Sequence, residues 1–184
     1  MVLSLGTITI IAAALLAGVY SITKEPIEEA NKLKTTEAIA AVLPEGVDIA
    51  PGIEVTLPGD PKPVIVYIAT RDSQLAGGAV ESYSMNGFSG EINIIYGFDQ
   101  EGNVTGFEVV QQAETPGLGA KMNDWFRMPE GKRSIIGLNS ANNNLTVSKD
   151  GGDVDAITAA TITSRAFLDA LTRADKAFRQ ETEK

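Results

Sequence analysis

The apolar and polar positions divide the chain into stretches of different period. Residues 1–23 carry no charged side chain, and Leu5, Ile8, Ile10, Ile11, Leu15, Leu16, Val19 and Ile22 recur among Ala, Gly, Ser and Thr. A helix of this length spans about 34 Å, enough for a hydrocarbon core of roughly 30 Å. The run is too long for the apolar region of a signal peptide and no charged segment precedes it, so it predicts a retained transmembrane helix. Tyr20 near one end suits a membrane interface. Pro26 fits the first position of a new helix, with Glu28 and Glu29 in its first turn. A connector helix is therefore expected within 24–46, ended by Pro44-Glu45-Gly46.

From Val47 the period becomes two. Ile53-Val55-Leu57, Val64-Val66-Ile68 and Ile92-Ile94-Tyr96 alternate with other residues between Gly, Pro, Asp and Asn punctuation, which predicts strands. Residues 99–103 (Asp-Gln-Glu-Gly-Asn) read as a hairpin turn, with 104–110 as the return strand. Gly77-Gly78, Gly87 and Gly90 are expected at bends or bulges. Near the C-terminus the period returns to that of a helix. Phe167, Ala170, Leu171, Ala174, Ala177 and Phe178 form one apolar face, and Asp169, Arg173, Asp175, Lys176 and Arg179 fill the other. The expected fold is α+β: an N-terminal transmembrane helix (1–23), a connector (24–46), and a domain (47–184) built on a twisted antiparallel sheet flanked by helices.

Composition narrows the chemistry. The formal charge is −9, with no Lys/Arg cluster, which makes nucleic acid a poor partner. The chain has no Cys and no His. Iron–sulfur ligation, Cys or His zinc sites, c-type haem attachment, disulfides and His-based acid–base catalysis are excluded together.

Two stretches carry candidate chemistry. Asp155-Ala156-Ile157-Thr158-Ala159-Ala160-Thr161-Ile162-Thr163-Ser164 opens the last helix. Helix N-termini present free N–H groups and the positive end of the dipole, so this is a place for a phosphate. The plainer reading is that Thr158 or Thr161 is only an N-cap. Residues 114–121, Glu-Thr-Pro-Gly-Leu-Gly-Ala-Lys, follow a strand and form a tight loop. That loop either connects a strand to a short helix over 121–126 or brings backbone and Leu118 against a flat ring, with Gly117 and Gly119 permitting close approach.

Asp155-x-x-Thr158-x-Ala160-Thr161 resembles the flavin-attachment motif Asp-x-x-Ser/Thr-Gly-Ala-Thr of the FMN-binding domain family. There, a flavin transferase joins the phosphate of FMN to the last Thr as a phosphoester, and that position is Thr161. Ala159 stands where the family usually has Gly, and its methyl disfavours a positive φ. Residues 114–121 match the Glu-Thr-Pro-Gly-Leu-Gly-x-Lys stretch of the RnfG subunits of Rnf membrane complexes. Gly-Phe-Ser-Gly at 87–90 and Lys24-Glu25-Pro26 after the anchor are also similar to those subunits. The related NqrC subunits share the attachment motif and are usually longer.

The resemblance implies covalent FMN on Thr161, with the N–H groups of Ile162 and Thr163 facing the phosphate and Thr158, Ala160 and Thr163 near it. Glu114 and Thr115 would meet the isoalloxazine edge, and Leu118 and Gly119 its face. Lys121 either stabilises an anionic reduced flavin or is a solvated Lys at a helix start. Asp155 is expected to shape the turn or to be read by the transferase, not to touch the ring. No catalytic base or metal ligand set is legible, so the chain reads as a non-autonomous electron carrier. The family implies a relay within an ion-translocating ferredoxin:NAD+ oxidoreductase, with other membrane and redox subunits as partners and a flavin transferase for maturation. The alternatives are an NqrC-type subunit, a stand-alone anchored FMN carrier, or a structural membrane subunit without flavin. Lys24, Lys32 and Lys34 after the helix would put the domain inside by the positive-inside count. The family's orientation, outside the cytoplasmic membrane, is the expectation, because its members carry basic residues ahead of the helix.

Overall fold

The computed structural model describes residues 2–183; Met1 and Lys184, the ends of the expected anchor and domain, lie outside the described residues. One helix, α1 (Val2–Val42), covers both the expected anchor and the expected connector, and Pro26 lies inside it. The expected break at Pro26 is absent. Proline removes one backbone donor at a cost of about 3 kcal/mol, and the Glu-, Lys-, Leu- and Ala-rich residues after it are strong enough helix formers to continue the helix. Residues up to Thr36 form one compact unit and Glu37 onward a second. In the first, Leu5, Ile8, Ile10, Leu15 and Leu16 are exposed. Among the described residues this is the one helix long and apolar enough, by length and composition, to cross a membrane.

The second unit is built on an antiparallel sheet. Strands β1 (Asp48–Ile49) and β2 (Ile53–Val55) both pair with β3 (Val64–Arg71). The order then runs through β4 (Gln74–Ser84), β5 (Ile92–Asp99) and β6 (Val104–Gln111). The hairpin at 99–103 forms as its composition requires. Asp99 Oδ1 accepts from the amides of Glu101 and Asn103, at 3.0 and 2.8 Å.

The longest strand, β4, was not among the expected ones. Gly77-Gly78, expected at a bend or bulge, pair within the sheet directly beside a register shift at Ala69/Thr70, where Ala69 faces Gly77 and Thr70 faces Leu75. Gly78 is needed there for contact: a Cβ would lie 2.7 Å from the Phe178 ring. Gly87 and Gly90 do fall in the bend between β4 and β5.

The closing helix, α3 (Thr161–Thr182), packs its predicted apolar face on one side of the sheet. Phe167 stacks on Phe126 at 4.1 Å between centroids and meets Phe107 edge-on at 5.0 Å. The buried Tyr96 hydroxyl donates to the Phe167 carbonyl at 2.7 Å. Asp175, assigned to the polar face by periodicity, is buried, because Ser140 and Arg179 donate to it at 2.6 and 3.1 Å. The other side of the sheet holds a smaller core, in which Ala38, Ile39, Val42 and Leu43 meet Ala69, Ala79 and Ile95. The end of the expected connector is thus part of the domain.

Candidate flavin site

After β6 the chain turns tightly. The amides of Leu118 and Ala120 both donate to Thr115 O, at 3.1 and 3.3 Å, and Gly117 takes a φ of 78°. A short 3-10 helix (Gly119–Lys121) and α2 (Met122–Trp125) follow, as the strand-to-helix reading expected. Glu114, at the start of this loop, is buried. One carboxylate oxygen accepts from the Ser89 amide at 3.0 Å and the other from Thr163 Oγ1 at 2.5 Å. A Cβ on Gly119 would lie 2.5 Å from Thr163 Oγ1 and 2.6 Å from Glu114 Oε2, so glycine at 119 leaves the space in which these groups meet.

The stretch before α3 is held independently. Asp155 accepts from Ser148 Oγ at 2.6 Å and from the Lys132 amide at 3.2 Å. The Ser148 hydroxyl, and then the Lys132 amide, hold its carboxyl below the ordinary carboxylate range. Trp125 Nε1 donates to its carbonyl at 2.9 Å. These bonds tie Asp155 to three preceding segments: the end of α2, the loop at Lys132 and the turn at Ser148. Residues 157–160 then make a turn closed by the Ala160 amide on Ile157 O at 3.0 Å, with Ala159 at φ 61°. Ser164 pins this turn from inside the helix. Its Oγ accepts from the Ile157 amide and donates to Ala160 O, both at 2.9 Å.

Ala160 occupies the N-cap of α3, and no side-chain hydrogen bond caps the helix. The capping role considered for Thr158 or Thr161 is therefore not the one found. Thr161, the first helical residue, instead accepts from Lys149 Nζ at 3.3 Å.

The two stretches share a cavity of about 310 Å³ lined by Phe88, Glu114, Thr115, Leu118, Gly119, Ala159, Ala160, Thr161, Ile162 and Thr163. Eight positions read from sequence meet there: Glu114, Thr115, Leu118, Gly119, Ala160, Thr161, Ile162 and Thr163. Thr158 and Lys121 are exposed and stand outside the lining. The sequence assigned no role to Phe88, whose Gly-Phe-Ser-Gly context was the available signal, nor to Lys149, which opens the loop just before the motif, where no helix or strand period fixes the direction of a side chain. Phe88, Leu118 and Ile162 are exposed apolar side chains on this cavity, at 67%, 41% and 48%. Apolar side chains, a hydroxyl at a helix start and a nearby ammonium group fit an aromatic ring that carries a phosphate.

Residues 87–176 match the model of the FMN-binding domain. Over 173 residues the chain is 35% identical to the G subunit of the ion-translocating oxidoreductase complex of Methanosarcina acetivorans, covering 92% of this chain and 88% of that protein. The chain belongs to this family, the RnfG proteins. The RnfG protein of Vibrio vulnificus is 35% identical over 179 residues, 90% of this chain and 83% of that one. The RnfG protein of Escherichia coli is 42% identical over 113 residues, 59% of this chain and 53% of that one. In this RnfG chain the FMN-binding segment contains every cavity-lining residue, from Phe88 to Thr163.

Proposed function

We propose that the chain is a membrane-anchored electron-transfer subunit that carries FMN as a phosphoester on Thr161. It relays electrons within an ion-translocating ferredoxin:NAD+ oxidoreductase complex. One observation carries the reading: Thr161 opens α3 on a cavity that Glu114, Thr115, Leu118 and Gly119 also line. FMN, when bound, supplies the redox chemistry, and the protein supplies position and electrostatics.

The chain's own residues have separable tasks. Thr161 Oγ1 holds the phosphate, so the cofactor is retained through repeated turnover. The amides of Ile162 and Thr163, at the uncapped helix start, bind its remaining negative charge. Thr115 hydrogen-bonds the ring edge, and Leu118 and Phe88 cover its faces. Glu114 holds the cavity's two walls together through Thr163 and Ser89.

A flavin transferase makes the attachment, and the working partners are the other membrane and redox subunits of the complex. The apolar part of α1, with Gly6, Ala12, Ala13, Ala14, Ala17 and Gly18, offers small residues for close packing against neighbouring helices. The FMN domain lies on the outer side of the cytoplasmic membrane.

The test is flavin fluorescence of denatured protein on a gel, for the wild type and Thr161→Ala, each made with a flavin transferase present. A fluorescent band in the wild type alone is the expected result. Fluorescence in both moves the bond to another residue. Darkness in both favours a structural subunit without flavin.

A further inference from the structure

We propose that Lys149 is the cation that receives the flavin phosphate at Thr161, both as the donor arrives and in the finished phosphoester. The inference rests on Thr161 being the attachment site. Lys149 Nζ stands 3.3 Å from Thr161 Oγ1, twelve residues away in sequence.

Its loop is fixed on both sides. Before it, Ser148 Oγ donates to Asp155 Oδ1 at 2.6 Å and the Ser148 amide donates to Val154 O at 2.7 Å. After it, Arg165 engages both oxygens of Asp150, at 2.7 and 2.8 Å. Arg165 is thereby committed to a carboxylate, although it too lies in the first turns of α3. Lys149 is the cation presented to the hydroxyl.

The chemistry requires such a charge. A phosphoester forms on an alcohol in water only from an activated phosphate, here a flavin phosphoanhydride. The Thr161 oxygen bonds to the flavin-side phosphorus as the anhydride P–O bond breaks. The leaving nucleoside monophosphate departs with the electron pair, the hydroxyl proton passes to a basic group of the flavin transferase, and no redox change occurs. Negative charge accumulates on the phosphoryl oxygens beside Oγ1, and the product keeps one negative charge there. An ammonium at hydrogen-bond range of Oγ1 offsets both.

The experiment uses the full chain in detergent, a flavin transferase, and flavin adenine dinucleotide as donor. Wild type, Lys149→Met, Lys149→Arg and Thr161→Ala are compared. Lys149→Met is expected to load about tenfold more slowly at limiting donor, the size of one charge-assisted hydrogen bond. Lys149→Arg is expected to restore most of the rate, and added salt to slow the wild type while leaving Lys149→Met unchanged. After loading to completion, the phosphorus NMR resonance of the phosphoester should differ between wild type and Lys149→Met. An unmoved resonance overturns the phosphate contact. An unchanged loading rate overturns its part in the transfer. A wild type that takes no flavin, or a Thr161→Ala that takes as much, would instead defeat the attachment reading on which the inference rests.

Discussion

Thr163 Oγ1 donates to Glu114 Oε2 at 2.5 Å, although 49 residues separate the two in sequence. Both residues are buried, at 1% and 4% exposure, and both line the cavity. This contact joins the start of α3 to the loop after β6. Thr163→Val would leave a buried carboxylate oxygen short of a partner. We expect a loss of about 1–3 kcal/mol, measured by chemical denaturation of the full chain in detergent. Combined with Glu114→Ala, the two losses should not add, because both variants lack the Thr163–Glu114 contact.

Ala159 carries a φ of 61°, a conformation that costs an L-residue roughly 1–2 kcal/mol and glycine much less. Ala159→Gly should therefore stabilise the domain by up to about 1 kcal/mol, seen as a higher melting temperature. It should leave flavin attachment undiminished, since the turn is already formed. A lower melting temperature would mean that the methyl is held by contacts worth more than the strain.

Asp155 is held below the ordinary carboxylate range by Ser148 and the Lys132 amide. A depressed folded-state value means stability that is present above the unfolded value and lost as pH falls through the folded one. The wild type should thus melt above Asp155→Asn at neutral pH, and the gap should close below about pH 4. A gap that persists at low pH would assign the effect to shape and not to charge.

Phe88 is mostly exposed, yet it lines the cavity. Phe88→Ala should change stability by no more than about 0.5 kcal/mol. In flavin-loaded protein it should increase quenching of the flavin by iodide, because one face of the ring loses its cover. Equal quenching in both proteins would place the ring elsewhere.

Much of this protein is local in origin. The uncharged run ahead of Lys24, the alternation in β3 and β5, the return strand β6 after its turn, and the apolar face of α3 all arise from neighbours within a few residues, and each was legible for that reason. So was the turn at Asp99, since the amides that its carboxylate holds belong to the same loop.

Tertiary structure decided the rest. β4 has a glycine pair where alternation should be; its pairing with β3 and β5 makes it a strand, and the Phe178 ring packed over Gly78 requires glycine there. Asp175 is buried because Ser140, from another segment, meets it. Glu114 is met by a threonine brought by α3 and by the Ser89 amide, and the cation beside Thr161 comes from a loop outside the motif. Periodicity reports which way a side chain faces relative to its own backbone. It cannot report which distant atoms the folded sheet and helix bring within hydrogen-bond range.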